Sequence, residues 1–183
     1  MYDKDFKEAV LLAEKLGVDT VITFSGCPGD CEESKYPNWA TCAWPDDFLA
    51  VLDWQWNQKV IPYWKETGAF AKAHGVDHIA FEMHPGFCVY NPETLLRLRA
   101  AVGDVIGANF DPSHLIWQGM DPVAAIRELK ALSTTFTRRI RRSTSTTLRR
   151  TEFLTLSTTV RSLSALGYSV PSATATTRAI GEI

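Results

Sequence analysis

Two short apolar runs constrain most strongly how this chain can fold. Val76–Met83 and Val105–Phe110 are too short for ordinary helices, and equivalent positions lie about 27 residues apart, which is the size of one βα unit. The interval has helical periodicity, with a capped start at Asn91-Pro92 and a stop at Gly103. Buried strands that alternate with helices are typical of a parallel sheet. This stretch therefore predicts an α/β fold.

The other parts of the first 130 residues continue this alternation. Their patterns predict six further elements in chain order. These are a helix over Asp3–Leu16, a strand over 18–24 that is buried on both faces, a helix from Asp46 or Asp47 that Pro62 kinks or breaks, a second helical piece over Tyr63–His74, a helix from Pro122 to about Leu132, and a fourth strand near residue 134. The resulting order predicts a parallel sheet that is either open or closed into a barrel.

Polar side chains stand at the ends of the predicted strands. Glu82 and His84 end one apolar run, Asp111 and His114 follow the next, and the loop Ser25–Asp30 follows the first strand. Parallel α/β proteins bind ligands at the C-terminal ends of their strands. Carboxylates and imidazoles bind divalent metals and transfer protons. Each residue alone is more simply explained as a solvated or structural group, but their convergence predicts a metal or acid/base site.

Tryptophans and cysteines add weaker signals. Trp54, Trp56 and Trp64 have helical spacing, which indicates packing, whereas the loop residues Trp39, Trp44 and Trp117 are better candidates for stacking on a substrate. The pair Cys27-x3-Cys31 has no second cysteine or histidine pair at ligand spacing, which argues against a zinc site.

The composition limits the partners and the compartment. A formal net charge of −2 argues against a nucleic-acid or membrane-surface partner. No apolar run approaches the roughly 18 residues that a membrane helix needs. The N-terminal segment is acidic and amphipathic, unlike a secretory signal. We therefore expect a cytoplasmic protein whose four cysteines are reduced thiols.

The residue alphabet changes after Lys130. Residues 1–130 contain 11 basic and 19 acidic residues, whereas residues 131–183 contain eight arginines, no lysine and two glutamates. Serine and threonine number 8 in the first part and 21 in the second, and aspartate and histidine are absent from the second. We therefore predict a folded part over 1–132 and a weakly ordered Ser/Thr/Arg-rich tail over 133–183.

The segment 79–129 resembles a known family. Its sequence IAFEMHPGFCVYNPETLLRLRAAVGDVIGANFDPSHLIWQGMDPVAAIREL carries the elements E-x-H-P and N-F-D-P-S-H in order, and the upstream FSGCPGD and LDWQWNQKVIPYWKE match as well. Together these residues resemble the sugar phosphate isomerase/epimerase family of xylose isomerase-like TIM barrels. The resemblance covers about residues 3–132.

The resemblance implies a (β/α)8 barrel with outer helices and a divalent metal at the C-terminal rim. The metal is most often manganese, with magnesium, cobalt and zinc as alternatives. By the same resemblance Glu82 binds the metal and is catalytic as an acid/base, Asp111 binds the metal, and His84 and His114 bind substrate. The implied reaction is isomerisation or epimerisation of a sugar or sugar phosphate by proton transfer next to its carbonyl.

The chain also departs from the family pattern. The resemblance implies two further ligands, a histidine and a glutamate, from later strands, but no histidine follows His114, and neither Glu152 nor Glu182 stands in a matching context. No strand precedes the first helix. We therefore expect a partial barrel with half of the metal site, impaired activity, and open sheet edges that favour homo-oligomers or aggregates.

A frameshift is our hypothesis for the tail, because a one-base slip converts many histidine and aspartate codons into threonine codons. A H-x-H-x-K-D-like segment in another reading frame downstream of codon 130 would support it. Three other functions remain open: a sugar dehydratase on the same barrel, a non-catalytic remnant or binding module, and an abasic-site endonuclease. The small number of histidines argues against the endonuclease.

Overall fold

The computed structural model describes residues 2–42, 44–130 and 134–136. The elements are α1 (Tyr2–Leu16), β1 (Thr20–Thr23), α2 (Asp46–Trp54), a π-helical segment (Gln55–Val60), α3 (Ile61–Ala73), β2 (His78–Glu82), α4 (Pro92–Val102), β3 (Ile106–Phe110), α5 (Pro112–Trp117), α6 (Pro122–Glu128) and β4 (Thr134–Phe136). Apart from β4, the tail predicted over 133–183 lies outside the described residues, as does its predicted boundary at residue 132.

The four described strands form one parallel sheet in the order β1-β2-β3-β4. Helices connect each strand to the next, which is the repeated βα arrangement of a barrel. The strand predicted near residue 134 is present as β4, next to β3. The predicted α/β class is therefore confirmed, and the parallel sheet with its connecting helices is that of a partial barrel.

The core lies between the sheet and its helices. All five residues of β3 are buried, so this strand is covered on both faces, as expected for a central parallel strand. Trp56 and Trp64 are almost fully buried, which confirms that these two residues pack in the core. The edge of the Trp64 ring meets Phe81 of β2, with the ring centres 4.6 Å apart. Burying each such side chain contributes about 1.5–3 kcal/mol to stability.

The prediction that the first strand is buried on both faces is wrong. Ile22 of β1 is 52% exposed, and Phe24, which follows the strand, is 40% exposed. In the described part of the chain β1 pairs only with β2, so it is an edge strand there, and none of its four residues is buried. A β-branched run does not reveal which neighbours will cover it, because burial is decided by the tertiary fold.

The helical stretch 46–73 changes helix type just before Pro62, where the sequence predicts a kink or a break. Pro62 lies in the first turn of α3, directly after the π-helical segment Gln55–Val60. A proline removes one backbone donor and clashes with the preceding turn, and a wider π turn accommodates this defect without ending the helix. The chain therefore stays helical across Pro62, where a kink or a break was predicted.

The helices after β2 follow the predictions to different degrees. α4 spans Pro92–Val102 and begins with the predicted cap, where the Asn91 side chain accepts a hydrogen bond from the Thr94 N–H at 2.8 Å. α6 ends at Glu128, earlier than predicted. α5 was not predicted, although Asp111-Pro112 repeats the cap-plus-proline signal.

Among the described helices, none combines the length and the apolarity needed to cross a membrane.

Candidate metal centre

The ends of β2 and β3 bring three ionisable side chains together. Glu82 is the last residue of β2, Asp111 follows β3 as the N-cap of α5, and His114 lies within α5. Their side chains are only 13%, 0% and 11% exposed, respectively. The neighbouring ends of parallel strands thus place two carboxylates and an imidazole at one rim of the sheet.

The distances between these groups suit a shared cation. His114 Nε2 lies 3.0 Å from Glu82 Oε1 and 3.6 Å from Asp111 Oδ2. Each of the three residues offers one donor atom, and these atoms all lie within 4.8 Å of one another. Because carboxylate oxygens and imidazole nitrogens bind most divalent metals, this group can hold a metal ion.

The two oxygens of the Asp111 carboxylate have different surroundings. Oδ1 accepts a hydrogen bond from the Ser113 N–H at 2.8 Å, which caps α5. Oδ2 is buried and has no hydrogen-bond partner within the described ranges. A buried carboxylate oxygen without a partner is unfavourable. A bound cation would remove that penalty, so the surroundings of Asp111 fit a metal site.

Asn109 is a member of this site that the sequence reasoning missed. It pairs with Glu82 in the register between β2 and β3, and its Nδ2 donates a hydrogen bond to Glu82 Oε2 at 2.9 Å. Asn109 is 1% exposed. The sequence did contain a signal for it. Asn109 is the one polar residue in the apolar run IGANF, and a buried polar side chain needs a hydrogen-bond partner.

His84 packs beside the three-residue group without joining it. Its ring centre lies 4.2 Å from that of His114, and Phe24 and Phe87 contact it edge-on at 5.7 and 5.5 Å. His84 Nδ1 lies 2.6 Å from the Pro85 carbonyl oxygen. A carbonyl only accepts hydrogen bonds, so Nδ1 carries the proton. The sequence-predicted residues Glu82, His84, Asp111 and His114 therefore form one contiguous cluster.

The loop after β1 is tied to the scaffold. Ser25 Oγ accepts a hydrogen bond from the Val89 N–H at 2.9 Å, and the Ser25 carbonyl accepts one from Trp64 Nε1 at 3.1 Å. The buried Gln55 amide donates to the carbonyls of Pro28 and Gly29. In the residues described, this loop contributes no member to a group of three metal-binding side chains.

The tryptophans proposed as stacking surfaces have different surroundings. Trp39 contacts the Tyr90 ring edge-on at 5.3 Å, and Trp44 is exposed. Trp117 was predicted to lie in a loop, but it is the last residue of α5. That assignment is wrong because α5 itself was overlooked.

Comparisons with known proteins agree with this architecture. The family described as "Xylose isomerase-like TIM barrel" matches residues 4–137. Over 120 residues the chain is 50% identical to the "Uncharacterized protein YfiH" of Bacillus subtilis, covering 64% of this chain and 38% of that protein. A solved structure of the probable 3-DHS dehydratase AsbF of Bacillus anthracis, involved in petrobactin synthesis, has a TM-score of 0.57 at 18% identity. That likeness covers 81% of this chain and 47% of the other.

The chain thus spans less than half the length of both relatives, and the second likeness concerns the fold alone. The family match covers most of the chain and includes the whole three-residue group. This chain belongs to the family of xylose isomerase-like TIM barrels.

Proposed function

We propose that this chain carries part of the active site of a metal-dependent sugar or sugar phosphate isomerase or epimerase. The observation that supports the proposal is the approach of Glu82, Asp111 and His114 to within 4.8 Å at the rim of a parallel sheet. In this proposal Glu82 and Asp111 bind the metal. His114 and its neighbour His84 bind oxygen atoms of the sugar.

The donor set indicates which ions to test. Two carboxylates and a nearby imidazole suit several divalent ions. The family resemblance implies manganese most often, with magnesium, cobalt and zinc as alternatives. Oδ2 of Asp111, which is buried without a hydrogen-bond partner in the described residues, is the ligand atom with most to gain from a cation. When bound, the ion would polarise a carbonyl or hydroxyl oxygen of the sugar.

Glu82 is the proposed acid/base. Its carboxylate would take a proton from the carbon next to the sugar carbonyl and return it to a neighbouring position. Asn109 donates to Oε2 and His114 Nε2 lies 3.0 Å from Oε1. These two contacts fix the orientation of the carboxylate, so that it meets the substrate in one geometry.

The ligand set of this chain is expected to be weak. The family resemblance implies a further histidine and glutamate from later strands, yet no histidine follows His114. We therefore expect calorimetric titration with MnCl₂ to give a Kd of about 0.1–1 mM, the range of sites with few charged ligands. Micromolar affinity would contradict the expectation that half of the ligands are missing.

Three variants test whether this weak binding belongs to the proposed site. Glu82→Gln and Asp111→Asn remove one carboxylate charge each and should abolish measurable Mn²⁺ binding. Glu128→Gln removes an exposed charge at the end of α6 and serves as the matched control. Equal Mn²⁺ binding by all three variants would show that the ion binds elsewhere.

Dehydration of a sugar-like substrate is a second candidate, since the solved barrel with this fold is named a probable 3-DHS dehydratase. Both reactions begin with proton abstraction beside a carbonyl, so the same Glu82 serves either. Reaction in D₂O separates them. Isomerisation or epimerisation incorporates deuterium at carbon in a product of otherwise equal mass, whereas dehydration yields a product lighter by one water.

A further inference from the structure

We propose that Cys27 and Cys88 form an oxidation site, in which a peroxide converts the two thiols into a reversible intramolecular disulfide. Cys27 lies in the loop after β1, and Cys88 lies in the loop after β2. Both are free thiols in the structure. In the sequence, Cys27 stood out only with Cys31, as a zinc pair that the spacing argued against, whereas the fold places Cys27 against Cys88, 61 residues away.

Backbone geometry brings the two cysteines to disulfide distance. The Cys88 N–H donates a hydrogen bond of 3.0 Å to the carbonyl of Gly26, the residue before Cys27. With standard bond lengths, this contact places the two Cα atoms roughly 5–7 Å apart. Disulfides typically span about 4.4–6.8 Å between Cα atoms. The neighbouring bond from the Val89 N–H to Ser25 Oγ, at 2.9 Å, holds the same two loops together.

The surroundings of the two thiols favour Cys27 as the attacking group. The neighbouring Cys88 thiol, which can donate to the Cys27 sulfur, lowers the pKa of Cys27. The same contact, together with burial, raises the pKa of Cys88. Nucleophilic attack on a peroxide requires a thiolate. Cys27 therefore reacts first and Cys88 resolves the product.

A small oxidant can reach the buried partner. Cys88 lines a cavity of about 350 Å³ whose other walls include Trp39, Trp56 and Tyr90. Cys27 itself is only half-buried. Hydrogen peroxide is far smaller than this cavity, so it fits in the space beside Cys88.

The reaction balances with one peroxide. The Cys27 sulfur attacks a peroxide oxygen, the O–O bond breaks, and sulfenic acid and water form. The Cys88 sulfur then attacks the sulfenic sulfur, its S–O bond breaks, and a second water leaves. Two thiols are oxidised to one disulfide, and one peroxide is reduced to two waters. A thiol reductant reverses the step.

The disulfide would join the loops on one side of the rim. The loop that carries Cys88 also contains His84, whose ring packs on that of His114. Fixing this loop to the loop after β1 would limit the movement of His84. The oxidation site does not depend on the reaction proposed above, because it rests on the two loops alone.

The test uses the full chain with Cys31→Ser and Cys42→Ser, two substitutions at exposed positions. After treatment with hydrogen peroxide, denaturation and alkylation, we expect neither remaining thiol to be alkylated. The intact mass should be two hydrogens lower than that of the reduced chain. Tryptic peptides 16–35 and 73–97 should be joined, and reduction should restore both thiols.

The unsubstituted chain gives a second measurement that does not depend on the folding of a variant. The same joined peptides should appear, linked through Cys27 rather than Cys31. In the Cys88→Ser variant, Cys27 should progress to sulfinic acid instead. Three results would overturn the proposal: two intact thiols after treatment, sulfinic acid at Cys27 while Cys88 stays alkylatable, or cross-links only between separate chains.

Discussion

The two carboxylate oxygens of Asp111 make separable contributions. Oδ1 caps α5, and Oδ2 is buried without a hydrogen-bond partner in the described structure. Asparagine also caps helices and carries no charge, so Asp111→Asn should keep the metal-free unfolding free energy within about 1 kcal/mol of the unaltered chain. Asp111→Ala removes the cap and should lie about 1 kcal/mol lower than Asp111→Asn. Urea denaturation in the presence of a chelator measures both values.

Metal binding separates the proposed role of Asp111 Oδ2 as a ligand from the role of Oδ1 as a helix cap. Both substitutions remove the oxygen that faces the other ligands, so neither variant should bind Mn²⁺ in calorimetry. An Asp111→Asn protein with undiminished Mn²⁺ affinity would show that Oδ2 is not a ligand.

The contact between Asn109 and Glu82 should be energetically coupled. Removing a donor from a buried carboxylate typically costs about 1–3 kcal/mol. Asn109→Ala should therefore lower the free energy of unfolding by this amount in the unaltered chain, and by clearly less in a Glu82→Ala background. Urea denaturation of the two single variants and the double variant isolates the pairwise contribution. Equal effects of Asn109→Ala in both backgrounds would mean that the hydrogen bond adds no stability.

At the scale of elements, the π-helical segment fixes the long loop after β1. The buried Gln55 Nε2 lies 2.9 Å from the Pro28 carbonyl, 2.8 Å from that of Gly29 and 2.6 Å from that of Asn38. Gln55→Glu replaces the amide donor with a carboxylate that faces three acceptors. This change should lower the free energy of unfolding by about 2–4 kcal/mol.

Amide hydrogen exchange measures which segments Gln55→Glu destabilises. Amides in residues 24–42 should exchange faster, while those of β3 should change little. Gln58→Glu makes the same chemical change at an exposed position of the same segment and should leave both exchange and stability unaltered. Similar behaviour of the two variants would mean that the Gln55 contacts do not hold the loop.

Local signals explain which elements were predictable from sequence. The bounds of α4 were predicted because Asn91, Pro92 and Gly103 act within one turn of each end. The convergence of Glu82 and Asp111 followed from the general rule for parallel strand ends. Asn109 was missed because its partner is set by strand register, which an apolar run of five residues does not reveal. The exposure of β1 was likewise a property of its neighbours.

At the scale of the whole molecule, the sheet has an incompletely covered edge strand. Ile22 of β1 is 52% exposed, and Phe24, which follows the strand, is 40% exposed. Within the described residues β1 has a strand partner on one edge only. Closed barrels remove such edges, whereas an open parallel edge with apolar side chains promotes association between chains.

We therefore expect this chain to self-associate, with β1 at the contact. Sedimentation velocity at increasing protein concentration should show a rising mean mass. Ile22→Thr keeps a β-branched residue in the strand but removes exposed apolar area, so it should shift the association to higher concentration. Ile126→Thr makes the same replacement at an exposed site on α6, away from β1. It is the matched control, which should leave the self-association unchanged. A concentration-independent monomer with one cooperative thermal transition would contradict this expectation, because it would require the β1 edge to be covered within the same chain.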